Sequence, residues 1–99
     1  MAAMERSQVA ALLDTLIDDL AALEHERWAH WQRYMHDNGD LEPDGSITLP
    51  AELVRRWQSQ IETDYRELSE AEKESDREQV RRYLPLIANT LAEHLGQSE

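Results

Sequence analysis

The sequence predicts an all-α fold, a compact bundle of three to four helices. Apolar residues recur at three- and four-residue spacing along most of the 99 residues. Only three glycines and three prolines are present, which is too few turn-forming residues for a multi-stranded sheet. Hydrophobic residues make up 40% and charged residues 31% of the chain, which is typical of a folded helical domain. A single domain of this length can bury one modest core without disulfides.

A long first helix is predicted from about Ser7 to Asn38. Its apolar face comprises Val9, Leu13, Leu16, Leu20, Leu23, Trp31, Tyr34 and Met35. Ser7 is the expected N-cap, and Gly39 is a natural residue for the position that ends a helix. Because about thirty residues is long for one globular helix, we expect a bend or break between Leu20 and His25.

The middle of the chain is predicted to be a loop followed by a short second helix. Pro43, Asp44 and Gly45 are a turn signature within the loop, residues 40–50. The second helix covers residues 50–61, with a proline in its first turn. Its apolar stripe is Leu53, Trp57 and Ile61.

A third helix begins at a capping box, in which Ser69 is followed three residues later by Glu72. It is predicted to end at Gly96. Pro85 lies inside it and removes the backbone hydrogen bond to Arg81, so the helix should be kinked or broken into two. The predicted core contact between the first and third helices comprises Leu16, Leu20, Leu23, Val80, Leu84 and Ile87.

The net charge of −11 limits the classes of partner. Such a surface repels the phosphate backbone of nucleic acids and the anionic face of membranes, so neither is expected as a partner. The absence of cysteine excludes disulfides and thiolate chemistry and fits a reducing compartment. The first twenty residues lack the basic start of a signal peptide, and no apolar run approaches the ~20 residues of a membrane span. We therefore expect a cytoplasmic protein.

No enzyme motif is apparent, and neither a metal nor a cofactor is expected. His25 and His30 are five residues apart, which does not match the i, i+4 pair of zinc-binding helices. No glycine-flanked serine nucleophile and no glycine-rich phosphate loop occur. No pair of carboxylates is set apart as acid and base.

An aromatic cluster on the first helix has two interpretations. His25, Trp28 and Gln32 share one helical face, with Trp31 beside Trp28. Two neighbouring tryptophans are usually part of a core. The alternative is a flat apolar wall on which a planar ligand stacks, with His25 as the polar contact.

Three charged residues, Lys73, Asp76 and Arg77, occupy the helical stripe that continues into the apolar residues from Val80 onward. Three interpretations follow. The first turns of the third helix could lie beyond the core and be solvated. The charges could form an internal ion-pair network, because buried charge is tolerated only when it is paired. Alternatively, Lys73 and Arg77 could hold an anionic group at the floor of a pocket.

Two segments, "LEHERWAHW" and "DYRELSEAEKESDRE", together resemble the RyR domain, a small module of ryanodine receptors that also occurs in bacterial and phage proteins. The similarity covers about residues 20–92. The second segment is the more specific. The family positions fall on His25, Trp28, Tyr65, Leu68, Glu72, Lys73, Asp76 and Arg77. The aromatic and glycine-containing segment that the family shows after the first helix is not clearly present here.

The resemblance implies a non-catalytic helical module that binds a nucleotide-derived or other anionic small molecule, in a phage, prophage or bacterial setting. Residues 1–19 would be an N-terminal helical extension of an RyR-like domain at 20–99. The ligand-binding residues would be His25, Trp28, Trp31, Tyr65, Lys73, Asp76 and Arg77. A different class of function, a structural module that forms a homodimer or higher oligomer through the amphipathic helix at residues 7–24, remains open.

Overall fold

A computed structural model describes residues 4–97, and four α-helices account for most of this range. The helices are α1 (Arg6–Asp14), α2 (Ile17–Asn38), α3 (Ala51–Glu62) and α4 (Glu70–Gln97). Two two-residue strands, β1 (Asp40–Leu41) and β2 (Ile47–Thr48), and a 3-10 turn (Tyr65–Glu67) connect them. The predicted all-α class is confirmed. Within residues 4–97, no helix is both long and apolar enough to cross a membrane.

The described chain divides into two compact units. The terminal unit contains the residues up to Glu26 together with those from Arg77 onward, and the central unit contains Arg27–Asp76. Helices α2 and α4 each contribute to both units. The boundary between residues 19 and 20 that the resemblance implies stays a prediction.

In the terminal unit, α1 begins one residue after Glu5 rather than at Ser7. The backbone N–H of Glu5 donates to Oε1 of Gln8 over 2.8 Å, and the Glu5 carboxylate accepts from the Gln8 backbone. This reciprocal pair is a capping box with glutamate in place of serine. The prediction of Ser7 as N-cap is therefore wrong, because Glu5 already supplies the acceptor.

The predicted single helix from Ser7 to Asn38 is interrupted at Thr15 and Leu16, upstream of the expected break. The Thr15 hydroxyl and backbone N–H both donate to the Leu12 carbonyl, over 2.6 and 3.2 Å. A threonine side chain competes in this way for backbone carbonyls and weakens the regular helical pattern. Leu16, at the break, is 4% exposed and is the one buried apolar residue of residues 4–97.

Two side-chain contacts fix which face of α4 meets α2 in the terminal unit. Arg82 forms an ion pair with Glu26, and the Tyr83 hydroxyl donates to the Glu24 carboxylate over 2.6 Å. Successive residues of a helix lie ~100° apart around its axis. When residues 82 and 83 face α2, Val80 and Leu84 therefore face away from α2, toward solvent. Val80 and Leu84 are consequently 53% and 52% exposed. The prediction that these two residues join the core is wrong.

Helix α4 is continuous through Pro85, so the prediction of two separate helices is wrong. A proline removes one backbone donor, but the bonds of the surrounding turns remain available to hold the helix. Pro85 itself is exposed. Gly96 does not end the helix, which continues to Gln97.

The predicted loop at residues 40–50 contains a small antiparallel ribbon in which Asp40 pairs with Thr48 and Leu41 with Ile47. Gly45 has a φ of +91°, which confirms the predicted turn.

A glycine that ends a helix is expected to have a positive φ. Among the described glycines only Gly45 has one, so Gly39 does not adopt the left-handed conformation. Instead, a Cβ at position 39 would lie 2.2 Å from Cγ2 of Ile47. Gly39 is thus required by the close approach of the ribbon to the end of α2.

Candidate functional site: an aromatic groove in the central unit

The second half of α2 and the middle of α3 carry a series of aromatic rings. The Trp31 and Tyr34 ring centres are 5.8 Å apart at 76°, and those of Tyr34 and Trp57 are 6.5 Å apart at 62°. His30 contacts Trp31 edge-on at 5.5 Å. These edge-to-face arrangements are favourable because the positive edge of one ring meets the negative face of another. The Trp31 and Trp57 rings both contact the ring of Tyr34.

A polar contact links the same two helices. Nη2 of Arg56 donates to the Tyr34 hydroxyl over 3.0 Å. Tyr34 is half-buried, whereas Arg56 is exposed. The bond ties the guanidinium group, which has five N–H donors, to the hydroxyl end of Tyr34.

Glu72, in the first turn of α4, is the acidic member of this region. The Ser69 hydroxyl donates to Oε1 of Glu72 over 2.7 Å, and the Glu72 backbone N–H donates to the Ser69 hydroxyl over 3.2 Å. The predicted capping box is thereby confirmed. Hydrogen bonds from the Ser69 hydroxyl, the Gln60 amide and the Ser69 backbone lower the pKa of Glu72, and Arg56 contributes through its charge. Glu72 therefore connects the start of α4 to α3.

Two adjoining cavities open beside these residues, with volumes of about 510 and 620 Å³. Both are lined by Trp31, Trp57, Gln60 and Glu72, and we name the combined depression the aromatic groove. The first cavity is completed by Ile61, Leu68, Ala71, Ser75 and Asp76, and the second by His30, Tyr34, Arg56 and Ser59. Trp31 remains 40% exposed, so its indole is accessible from solvent.

The two ends of the aromatic groove differ in charge. Glu72 and Asp76 are the ionisable residues that line the first cavity. The second cavity adds His30 and Arg56 to Glu72. Carboxylates accept hydrogen bonds from N–H groups of a ligand, whereas a guanidinium donates to phosphate or carboxylate. The groove thus offers flat apolar walls, the Glu72 carboxylate in both cavities, the Asp76 carboxylate in the first and the Arg56 guanidinium in the second.

The structure brings together only some of the residues predicted to bind a ligand. Trp31 and Asp76 line the same cavity. Tyr65 and Lys73 meet each other, with Nζ of Lys73 5.9 Å from the Tyr65 ring centre, but line neither cavity. Lys73 also lies 3.7 Å from a Glu70 carboxylate oxygen, and its side chain is 18% exposed.

The remaining predicted residues are distributed over both units. His25 and Arg77 belong to the terminal unit, and Trp28 belongs to the central unit, where it is 57% exposed. A single site formed by all seven residues therefore stays a prediction. Lys73 is paired with Glu70, Asp76 lines the first cavity and Arg77 is half-buried, so the ion-pair network and the anion-binding interpretation of these three residues both stay predictions.

Sequence reasoning missed several residues of the groove. Helical spacing places Trp57 in a packing stripe, the capping box and the family positions include Glu72, and neither signal gives a role to Arg56 or Gln60. The spacing of Trp57 and Gln60, three residues apart, places both side chains on one face of α3 and could have indicated a shared surface. What the pattern lacks is the pairing of α2 with α3, which brings Trp31 to the same groove.

Comparisons of the chain with protein-family models, with curated proteins and with solved structures give no match. Within residues 4–97, no group of three or more histidine, cysteine, aspartate or glutamate residues could hold a metal ion.

Proposed function

We propose that the protein is a non-catalytic, RyR-type ligand-binding module whose aromatic groove takes a planar, nucleotide-derived small molecule. The observation that carries the proposal is that Trp31 and Trp57 both line both cavities. A flat ring placed there contacts two indoles, and each aromatic stack with a base is worth ~1–3 kcal/mol. The cavity volumes lie within the ~300–1,000 Å³ range of small-molecule sites.

The charges of the groove suggest the orientation of the ligand. Asp76 and Glu72 accept hydrogen bonds from the N–H edge of a base. Arg56 donates to the anionic part, and its bond to Tyr34 holds it in place beforehand. Such preorganisation reduces the ordering cost of binding. The resemblance to RyR domains supports the same class of ligand.

The proposal is tested by isothermal titration calorimetry with a panel of purine and pyrimidine nucleoside monophosphates. Trp57→Ala removes one wall and should weaken binding about tenfold, which corresponds to ~1.4 kcal/mol. Trp28→Ala is the matched control, because Trp28 lines neither cavity. If no nucleotide binds the wild type, or if Trp28→Ala weakens binding as much as Trp57→Ala, the proposal is wrong.

A second comparison tests the proposed role of Arg56. Arg56→Ala should weaken binding of the nucleotide more than binding of the corresponding nucleoside, whereas Arg55→Ala should change neither. Tyr34→Phe removes the hydroxyl partner but keeps the guanidinium, and it should have an intermediate effect. Equal losses for nucleotide and nucleoside in Arg56→Ala would show that Arg56 does not contact the phosphate.

A further inference from the structure

The first cavity of the aromatic groove has carboxylates but no cation on its walls. Glu72 and Asp76 are its ionisable residues, and among the described residues that line it none is lysine, arginine or histidine. An ionised carboxylate only accepts hydrogen bonds. A base placed against Trp31 and Trp57 in this cavity therefore gains from each N–H donor on its edge and loses where its edge presents an acceptor.

The two carboxylates differ in how far their oxygen atoms are already used. Glu72 accepts from the Ser69 hydroxyl over 2.7 Å and from the Ser69 backbone N–H over 3.2 Å. It also accepts from the Gln60 amide. Asp76 has no hydrogen bond or ion pair with another residue of the described range 4–97. Both oxygen atoms of Asp76 are therefore available to the edge of one ligand.

Among the common bases, guanine alone offers two adjacent N–H donors on its pairing edge. Its N1–H and its N2 amino group point the same way, so both oxygen atoms of one carboxylate can accept from them in parallel. Adenine and cytosine present an amino group beside a ring nitrogen that accepts, and uracil presents one N–H between two carbonyl oxygens. Paired, parallel hydrogen bonds to a carboxylate are stronger and more specific than a single one.

We propose that Asp76 makes the aromatic groove selective for guanine nucleotides, by accepting hydrogen bonds from N1–H and the N2 amino group of the base. This inference rests on the proposed function and adds the identity of the base to it. Trp31 and Trp57 line both cavities, so one nucleotide can extend from the first cavity into the second. Arg56 lines the second cavity and stays the donor to the phosphate.

A guanidinium group has a similar pair of parallel N–H donors, so an arginine side chain is the competing occupant of the first cavity. Two observations favour the base. The cavity has a volume of about 510 Å³ and two indoles on its walls, which suit a fused planar ring. Arg56 lines the adjoining cavity and repels a second cation, whereas it attracts the phosphate of a nucleotide.

Isothermal titration calorimetry of the full chain with GMP, IMP and AMP tests the inference. IMP lacks only the N2 amino group of GMP, and AMP presents an acceptor in place of N1–H. GMP should bind about tenfold more tightly than either, because a good pair of hydrogen bonds to a base edge discriminates by about that factor or more. If the three bind equally, this inference is wrong and the proposed function stands. If no nucleotide binds, both are wrong.

Methylguanidine tests the competing occupant, because it has the paired N–H donors without the fused ring. It should bind at least tenfold more weakly than GMP, since it makes no extended contact with the two indoles and has no phosphate for Arg56. Binding of methylguanidine as tight as that of GMP would show that the cavity takes a guanidinium group, and it would overturn the assignment of guanine.

The variant Asp76→Asn separates recognition of the base from a structural role. An asparagine amide offers one donor and one acceptor, which matches the amino group and neighbouring ring nitrogen of adenine. The variant should bind GMP about tenfold more weakly than the wild type and AMP at least as tightly. Asp37→Asn makes the same change of charge at an exposed position outside both cavities and should leave every Kd unchanged. Equal losses for GMP and AMP in Asp76→Asn would overturn the role of Asp76.

Discussion

Arg56 donates a hydrogen bond to the Tyr34 hydroxyl over 3.0 Å, and this contact joins α3 to α2 in the central unit. Tyr34 also meets Trp57 edge-on at 6.5 Å, so one side chain makes a polar and an aromatic contact with α3. The groove depends on both contacts, because they hold Trp57 at a fixed distance from α2.

Removing the Tyr34 hydroxyl should lower stability modestly. Tyr34→Phe keeps the ring contacts but loses the bond to Arg56, and we expect a loss of ~0.5–1 kcal/mol in urea unfolding because Arg56 is exposed. Arg56→Ala should cost a similar amount, and the double variant should cost less than the sum. Fully additive losses would show that the two side chains do not interact in solution.

The two serines near helix starts should differ in their contribution to stability. Ser69→Ala removes the hydroxyl that accepts from the Glu72 backbone, and we expect a loss of ~1 kcal/mol. Ser7→Ala should change stability by less than ~0.5 kcal/mol, because α1 is capped by Glu5. Thermal and urea unfolding measure both. A larger loss of stability for Ser7→Ala than for Ser69→Ala would contradict the assignment of Glu5 and Ser69 as the N-caps of α1 and α4.

Acid should destabilise the central unit through Glu72. Its pKa is lowered below the usual value of 4.5, first by the Ser69 hydroxyl and then by Gln60. A depressed pKa in the folded state stabilises the protein above the unfolded pKa, and this contribution is lost as the pH falls through the folded pKa. Urea unfolding between pH 6 and pH 3 should show that loss.

Two variants separate Glu72 from the other carboxylates in this titration. Glu72→Gln cannot ionise and should flatten the fall in stability below about pH 4.5. Ser69→Ala removes the main cause of the depressed pKa and should also reduce the pH dependence. An acid transition that is unchanged in both variants would exclude Glu72 as a contributor.

Lys73 and Tyr65 should be energetically coupled through a cation–π contact. The ammonium lies 5.9 Å from the ring centre, and such contacts contribute ~0.5–1 kcal/mol at exposed sites. Lys73→Met keeps the apolar stem and should lose about that amount, whereas in a Tyr65→Leu background the same change should cost little. Tyr65→Phe should preserve the coupling. A double-mutant cycle with zero coupling energy would contradict the contact.

The two glycines at helix ends should respond oppositely to alanine. Gly39→Ala places a Cβ 2.2 Å from Ile47 and should destabilise the protein by ~1–3 kcal/mol. Gly96→Ala meets open space within α4 and should be neutral or stabilising by up to ~1 kcal/mol. Thermal unfolding measures both changes. Equal effects would show that position 39 is not crowded.

Periodicity predicts the helical class, the capping box at Ser69 and the turn at Gly45, because each depends on neighbours along the chain. It does not predict the break at Thr15 or the continuity of α4 through Pro85. At Thr15 a side-chain bond to Leu12 competes with the helix, and at Pro85 the adjacent turns compensate for one missing donor. The exposure of Val80 and Leu84 follows from bonds at Arg82 and Tyr83 that join residues 56 and 59 positions apart.

The candidate site is predictable only where its residues belong to a local pattern along the chain. Helical spacing points to Trp31, and the second segment of the resemblance includes Asp76. Trp57 and Arg56 gain their significance only when α3 packs against α2. A long-range contact of this kind leaves no local signature in one sequence.

Trp31 and Trp57, but not Trp28, form the walls of the proposed ligand site. The most direct measurement is a nitrogen-15-edited NMR titration that follows the three indole N–H signals while a nucleotide is added, with Trp→Phe variants for assignment. We predict that the signals of Trp31 and Trp57 shift together along one binding curve and that the signal of Trp28 stays in place. If no indole signal shifts with any nucleotide, or if only that of Trp28 does, the assignment of the aromatic groove as the binding site is wrong.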